Sequence, residues 1–189
     1  NEAMVSLRSK GRIGDRHARH IILFAKNQQA AAGLSKQVQD RVIGKYYYAL
    51  LTNAPDLYWY CPEGILEDYL LTDKKTNFTR VVETENIPQE AKYAKLEYKY
   101  LKSTREKSLF EIKLHTGRQH QIRVQMANMG CPIWGDAKYN TAPMQDRRFR
   151  HIALCAYRLE FIHPKTKKQM DRFCAECCDA IEHRASGLC

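Results

Sequence analysis

Long hydrophobic runs are missing from this sequence. No apolar stretch is long enough to span a bilayer, and no charged segment followed by a short apolar one marks a secretion signal. The seven cysteines follow no secreted-scaffold pattern. We therefore expect a cytoplasmic protein with free thiols and no membrane partner, because disulfides are rare in the reducing cytosol.

Recognisable metal and nucleotide sites are also missing. Cys174, Cys177 and Cys178 lie close together near the C-terminus, and His183 follows them. A closed zinc site usually takes its ligands from two separated pairs, and no second pair lies nearby. A terminal helix with free thiols fits this pattern better, so we predict no metal. The absence of a Gly-rich phosphate loop argues against a small phosphate- or nucleotide-binding enzyme.

Acidic residues are outnumbered by basic ones. The chain has 31 Lys and Arg against 21 Asp and Glu, which gives a net charge of +10. Such an excess suits a polyanionic partner, because each phosphate contact releases counterions. Charge therefore favours nucleic acid over a membrane surface, for which no basic amphipathic helix stands out. A merely soluble basic protein is the alternative.

The length of 189 residues and the hydrophobic periodicity predict one α+β domain with a mostly antiparallel, mixed sheet flanked by helices. Short apolar runs and period-2 alternation predict strands at 20–26, 45–51, 78–83, 96–100, 110–114 and 151–162. We expect the strands at 96–100 and 110–114 to form a hairpin that turns near Thr104. An amphipathic helix is predicted over 30–42 and ended by Gly44, and another over 174–184.

The segment from Leu114 to Asp136 concentrates polar groups. Thr116 and Gln119 have the spacing of a capping box, which predicts a helix that begins just after Thr116 and runs to Gly130. The start of this helix offers unpaired N–H groups and a positive dipole end, where a phosphate would bind well. A capped helix with a solvated polar face is the alternative. The residues it presents within two turns are Arg118, His120, Gln121 and Arg123.

The same segment resembles a known family. Thr116-Gly117-Arg118-x-His120-Gln121-Ile122-Arg123-Val124, followed by Gly130-x-Pro132-Ile133-x-Gly135-Asp136-x-x-Tyr139, is similar to the RluA-type RNA pseudouridine synthases. The elements 23–27, 45–49 and 156–164 resemble other parts of that family. The resemblance covers roughly residues 11–175, and 176–189 form a tail.

The resemblance implies a single pseudouridine-synthase-like domain that isomerises uridine in ribosomal or transfer RNA without cofactor or metal. The family's catalytic Asp ends a His-Arg-Leu-Asp stretch, and the family spacing from Phe24 places it at Asp15. Arg123 matches the family's Arg, and Asp15 is the only carboxylate that the spacing offers as its partner. Tyr47 matches the Tyr that stacks on the target base.

The remaining site residues surround this centre. Leu114 and Ile122 are expected to wall the pocket, whereas Asp136 and Tyr139 are interpreted as residues that shape the loop after the helix. The target base must leave its stack, and basic groups hold the RNA meanwhile. The residues expected to contact RNA are Arg12, Arg16, Arg19, Arg118, His120 and Gln121. We expect a monomer.

The region around Asp15 departs from the family pattern. Arg12-Ile13-Gly14-Asp15 stands where the family has His-Arg-Leu-Asp, and the family's upstream strand containing Lys-Pro is absent. We therefore expect the chain to lack N-terminal strands of the domain. A catalytically silent RNA-binding relative is the alternative to an active enzyme.

Overall fold

The computed structural model describes residues 4–8, 20–52, 61–104, 106–140 and 152–174, with only the backbone described for 4–8 and for His20. Within these residues there are nine strands and two helices. The strands are β1 (Met4–Arg8), β2 (His20–Phe24), β3 (Gly44–Thr52), β4 (Glu63–Asp73), β5 (Phe78–Val82), β6 (Lys92–Ser103), β7 (Lys107–Leu114), β8 (Leu154–Ile162) and β9 (Gln169–Phe173). The helices are α1 (Gln28–Gln39) and α2 (Gln121–Asn128).

The strands form a seven-stranded sheet in the order β5-β4-β6-β7-β3-β8-β9, and β1 and β2 form a separate pair. The α+β class is confirmed. Every strand pair in the described residues is antiparallel, so the predicted mixed character is not seen there. β6 and β7 form the expected hairpin, whereas β1, β4 and β9 were not predicted.

One face of the sheet carries most of the core. Residues directly opposite each other on neighbouring antiparallel strands share a face. One such row crosses five strands and consists of Leu66, Leu96, Leu114, Lys45 and Leu159. Ile122 and Met126 of α2 join the cluster around Leu96 and Leu114, and Leu34 of α1 packs with Leu159. Both helices therefore cover this face, which we call the helix face.

Helix α1 ends earlier than its sequence predicts. Asn27 caps its start by accepting a hydrogen bond from the Ala30 N–H at 2.8 Å. The helix stops at Gln39, and Arg41 takes the left-handed conformation at φ 57° that turns the chain away. The prediction that Gly44 ends the helix is wrong, because Gly44 is the first residue of β3.

Helix α2 begins later than predicted, and the capping box is wrong. Its first residue is Gln121, which follows His120 in the left-handed conformation at φ 52° without a side-chain cap. The Thr116 hydroxyl instead donates to Gln121 Oε1 at 2.8 Å and accepts from the Lys95 N–H of β6 at 2.9 Å. A contact with the neighbouring strand thus replaces the local one. Six of the eight helix residues are buried, so α2 has no broad solvated face.

The chain after α2 returns to the sheet. The Trp134 N–H donates to Leu50 O at 2.8 Å, and Trp134 O accepts from the Ala153 N–H at 2.9 Å. This segment therefore lies between the end of β3 and the start of β8. Its anchoring brings Asp136 back towards α2.

In the part of the chain that the structure describes, no helix is long and apolar enough to cross a membrane. Those same residues contain no group of three or more His, Cys, Asp or Glu arranged to hold a metal. Cys61, Cys131 and Cys155 are free thiols, and Cys174, the first member of the cysteine cluster, is buried. The other members of the cysteine cluster, together with the predicted terminal helix, lie outside the described residues.

Gly130 ends α2 at φ 86°, and a Cβ built on it would meet nothing within 4 Å. Substitution therefore tests backbone conformation alone. We expect Gly130→Ala to lower the free energy of unfolding by about 1 kcal/mol, because L-residues are strained at positive φ. Gly130→Asn should lose less, since Asn tolerates this region. Urea denaturation measures both, and equal losses would contradict this account.

Candidate active site

A compact turn connects β7 to α2. The Gln121 side chain closes it: Oε1 accepts from the Arg118 N–H at 3.0 Å, and Nε2 donates to Lys95 O at 3.1 Å. The Arg118 side chain is fixed as well, because its Nε donates to Tyr93 O at 2.8 Å. The turn is therefore held to β6 on both sides of Gly117.

A buried ion pair fixes the centre of the site. Arg123 Nε donates to Asp136 Oδ2 at 2.7 Å, and Arg123 Nη2 donates to Asp136 Oδ1 at 2.6 Å. The Arg123 side chain is 9% exposed and that of Asp136 is fully buried. Such a two-pronged contact fixes the plane of the guanidinium as well as its position. Asp136 Oδ1 also accepts from the backbone N–H groups of Lys138 and Tyr139.

This pair adds a partner that the spacing does not predict for Arg123. Asp15 is therefore not the only carboxylate available to Arg123, because Asp136 holds the guanidinium. The pairing of Arg123 with Asp15 stays a prediction. The loop-shaping role of Asp136 agrees with its hydrogen bonds to Lys138 and Tyr139. A guanidinium has further N–H donors, so Arg123 can hold a second carboxylate at the same time.

Tyr139 joins the ion pair to the edge of the sheet. Its ring lies 4.9 Å from the Arg123 guanidinium carbon and 4.9 Å from the Phe78 ring. Its hydroxyl accepts from the Thr79 N–H at 3.0 Å and lies 2.8 Å from His120 Nδ1. The first residues of β5 and the turn before α2 are therefore held by one side chain.

Tyr47 lies on the helix face, directly opposite Ile112 of β7 and Ala156 of β8. It packs against the core cluster that contains Leu114 and Ile122. Burial raises the pKa of Tyr47 to about 12. Its phenol is therefore neutral at physiological pH and can donate a hydrogen bond, but it does not provide a tyrosinate base.

Lys45 is the one charged member of the leucine row on the helix face. It is half-buried, and its Nζ lies 3.5 Å from where a Cβ on Gly117 would be. Burial lowers the pKa of Lys45, and the positive charge of Arg41 lowers it further. Lys45 begins the 45–49 element that resembles the family, and the sequence alone predicts no role for its side chain.

The residues expected to contact RNA differ in how exposed their side chains are. Arg118 and His120 are half-buried at the turn, where part of each side chain is accessible. Gln121 is only 3% exposed and its amide is used within the turn. Its expected RNA contact is therefore wrong, and its role is structural. The other three expected RNA contacts and the catalytic candidate Asp15 lie outside the described residues; the three are Arg12, Arg16 and Arg19.

Removal of Asp136 should leave the buried Arg123 charge without its main partner. We expect Asp136→Ala to lower the free energy of unfolding by about 3–5 kcal/mol, as for other broken buried ion pairs. The double variant Arg123→Met, Asp136→Leu should recover most of this loss, because no charge remains buried. Chemical denaturation of both variants checks this.

Glu67→Ala provides the matched control. Glu67 pairs with Lys95 at 3.0 Å, but both side chains are substantially exposed. Its loss should be much smaller, because exposed ion pairs contribute little. An equal loss in the free energy of unfolding for Asp136→Ala and Glu67→Ala would show that Asp136 does not stabilise the buried Arg123 charge.

The raised pKa of Tyr47 predicts a loss of stability in alkali. The folded state favours the neutral phenol, so this stabilisation is present below pH 10 and is lost as the pH rises towards 12. The ultraviolet titration of wild type minus Tyr47→Phe should show one phenol with a midpoint near 12. A difference midpoint near the ordinary value of 10.0 would contradict burial as the cause.

Comparison with known proteins identifies the family of this chain. A family model described as RNA pseudouridylate synthase matches residues 8–128. The ribosomal large subunit pseudouridine synthase D of Zymomonas mobilis is 30% identical over 163 residues, covering 83% of this chain and 49% of that protein. The ribosomal large subunit pseudouridine synthase C of Vibrio cholerae is 31% identical over 166 residues, covering 83% and 48%. This chain spans about half the length of the curated relatives it matches.

Two solved structures share the fold. Human RNA pseudouridylate synthase domain containing 1 has a TM-score of 0.72 at 19% identity, covering 89% of this chain and 69% of that one. Human RNA pseudouridylate synthase domain containing 4 has a TM-score of 0.67 at 19% identity, covering 94% and 75%. The resemblance stated from the motifs is confirmed, and the chain belongs to the RNA pseudouridylate synthase family.

Proposed function

We propose that this chain converts uridine in RNA to pseudouridine. The bond between N1 of the base and C1′ of the ribose breaks, the base turns, and a bond forms between C5 and C1′. The proton on C5 is released and N1 takes one up, so the atoms balance without an oxidant or reductant. The reaction therefore needs no cofactor and no metal.

The fixed guanidinium of Arg123 is the observation that carries this proposal. Asp136 occupies Nε and Nη2, so the other edge of the guanidinium is held in a defined direction. We assign that edge to Asp15, which acts on C1′ as nucleophile or opens the reaction as a base. Burial disfavours an ionised carboxylate and a neighbouring cation favours it, so Arg123 keeps Asp15 charged.

Tyr47 provides the contact to the target base. A neutral aromatic ring beside an apolar wall suits stacking on a uracil base. Its raised pKa keeps the phenol protonated while the base turns. Leu114 and Ile122 then form the apolar wall, where both are buried in the cluster against which Tyr47 packs.

The substrate is structured RNA in the cytoplasm, and the chain acts on it as a monomer. A uridine in a stack must be flipped out before any residue reaches C1′. Arg118 and His120, together with Arg12, Arg16 and Arg19, hold the backbone during this step. The names of the bacterial relatives favour large-subunit ribosomal RNA as the first substrate to test, with transfer RNA as the second.

A silent RNA-binding relative is the second candidate. The Arg12-Ile13-Gly14 stretch before Asp15 differs from the family's His-Arg-Leu and favours this alternative. Both candidates bind RNA, so turnover alone separates them.

Tritium release from C5 of uridine measures turnover directly. Wild-type protein incubated with C5-tritiated transcripts of ribosomal and transfer RNA should release tritium. Asp15→Ala and Asp15→Asn should reduce the rate by about a hundredfold or more, because the reaction starts at this carboxylate.

Asp40→Asn is the matched control, since Asp40 lies exposed at the end of α1. It should leave the rate unchanged. RNA binding without release by wild type would establish the silent relative. Undiminished release by Asp15→Asn would show that another group performs the first step.

A further inference from the structure

Lys45 interrupts an apolar row. Its neighbours across the sheet are Leu114 on β7 and Leu159 on β8, and the row continues through Leu96. These leucines are at most 8% exposed. A lysine in such a row loses part of its hydration, and nothing in the packing requires its charge.

No described carboxylate compensates the Lys45 ammonium. The described ion pairs join other residues, and the charged neighbour that acts on Lys45 is the cation Arg41. Its Nζ lies beside Gly117, an exposed residue whose missing side chain leaves the ammonium approachable.

The neighbouring lysine of the sheet behaves differently. Lys113 precedes Leu114 on β7 and lies on the opposite face, beside Tyr46. Its Nζ is 3.8 Å from Glu97 Oε2. Lys113 is therefore paired with a carboxylate of the sheet, whereas no described carboxylate pairs with Lys45.

We infer that Lys45 binds a phosphate oxygen of the flipped nucleotide and so positions the uridine over Tyr47. Uracil and ribose are neutral, so the phosphate is the anion that a nucleotide brings to this face. Tyr47 lies two residues along β3 with its side chain on the same face, which places phosphate and base contacts on one strand. The inference rests on the proposed function, and Lys45 acts as a positioning residue.

The salt dependence of RNA binding tests the inference without requiring turnover. A large-subunit ribosomal RNA transcript is titrated with wild type, Lys45→Met, Lys45→Arg and Lys113→Met at several salt concentrations. Lys45→Met should bind about tenfold to a hundredfold more weakly, as for loss of one charge-assisted hydrogen bond. The slope of log K against log salt should fall by roughly 0.7–0.9, which corresponds to one phosphate. Lys45→Arg should retain most of the slope.

Lys113→Met removes the same charge from the other face, and its slope should match that of wild type. A purely structural Lys45 would instead lower the melting temperature when changed to Met and leave the slope intact. We expect the melting temperature of Lys45→Met to stay equal or to rise, because an uncompensated charge leaves the interior.

RNA with a neutral methylphosphonate linkage provides the second readout. A short synthetic RNA is made that contains a uridine from which wild type releases tritium, and a methylphosphonate replaces the phosphate on one side or the other of that uridine. One replacement should weaken wild-type binding and leave Lys45→Met unchanged. Equal weakening of both proteins at both positions, or equal slopes for Lys45→Met and Lys113→Met, would overturn the inference and leave the proposed function standing. Failure of wild type to bind RNA would overturn both.

Discussion

The ion pair between Arg123 and Asp136 is the interaction on which the rest of the site depends. Helix α2 has only eight residues and no side-chain cap, and an isolated helix of that length is not stable in water. It is held by tertiary contacts, of which the paired charges are the most demanding, because neither tolerates burial alone. The pair also joins α2 to the segment that returns to β3, so the helix and its following loop are fixed together.

The surroundings of Arg123 and Tyr47 have opposite effects on the charge of the two side chains. Asp136 keeps Arg123 paired although the guanidinium is buried. Tyr47 receives no such support, and burial alone raises its pKa and keeps it neutral. Arg123 therefore stays charged within its ion pair, whereas Tyr47 presents an uncharged ring. This combination suits the reaction we propose, in which a carboxylate must stay ionised next to a neutral base.

Local patterns predict the strands better than the contacts at the start of α2. Alternation identified β6 and β7, and the Tyr-rich run identified β3. β4 was missed because Ile65-Leu66 and Leu70-Leu71 place apolar residues side by side and break the period of two. The start of α2 was misplaced because Thr116 bonds to Lys95, a residue of another strand. Arg123 has the same difficulty, since its partner lies beyond a loop and no spacing rule connects them.

The net positive charge is not spread evenly through the fold. On the face away from the helices, Lys95 and Lys113 have Glu67 and Glu97 as partners, so that face largely neutralises itself. The helix face places Lys45 among leucines with no described carboxylate beside it. A sheet stabilised only for folding would carry another leucine there, because the charge loses hydration without a compensating contact. A phosphate oxygen at Lys45, as we infer above, would supply the compensating contact that the described residues do not provide.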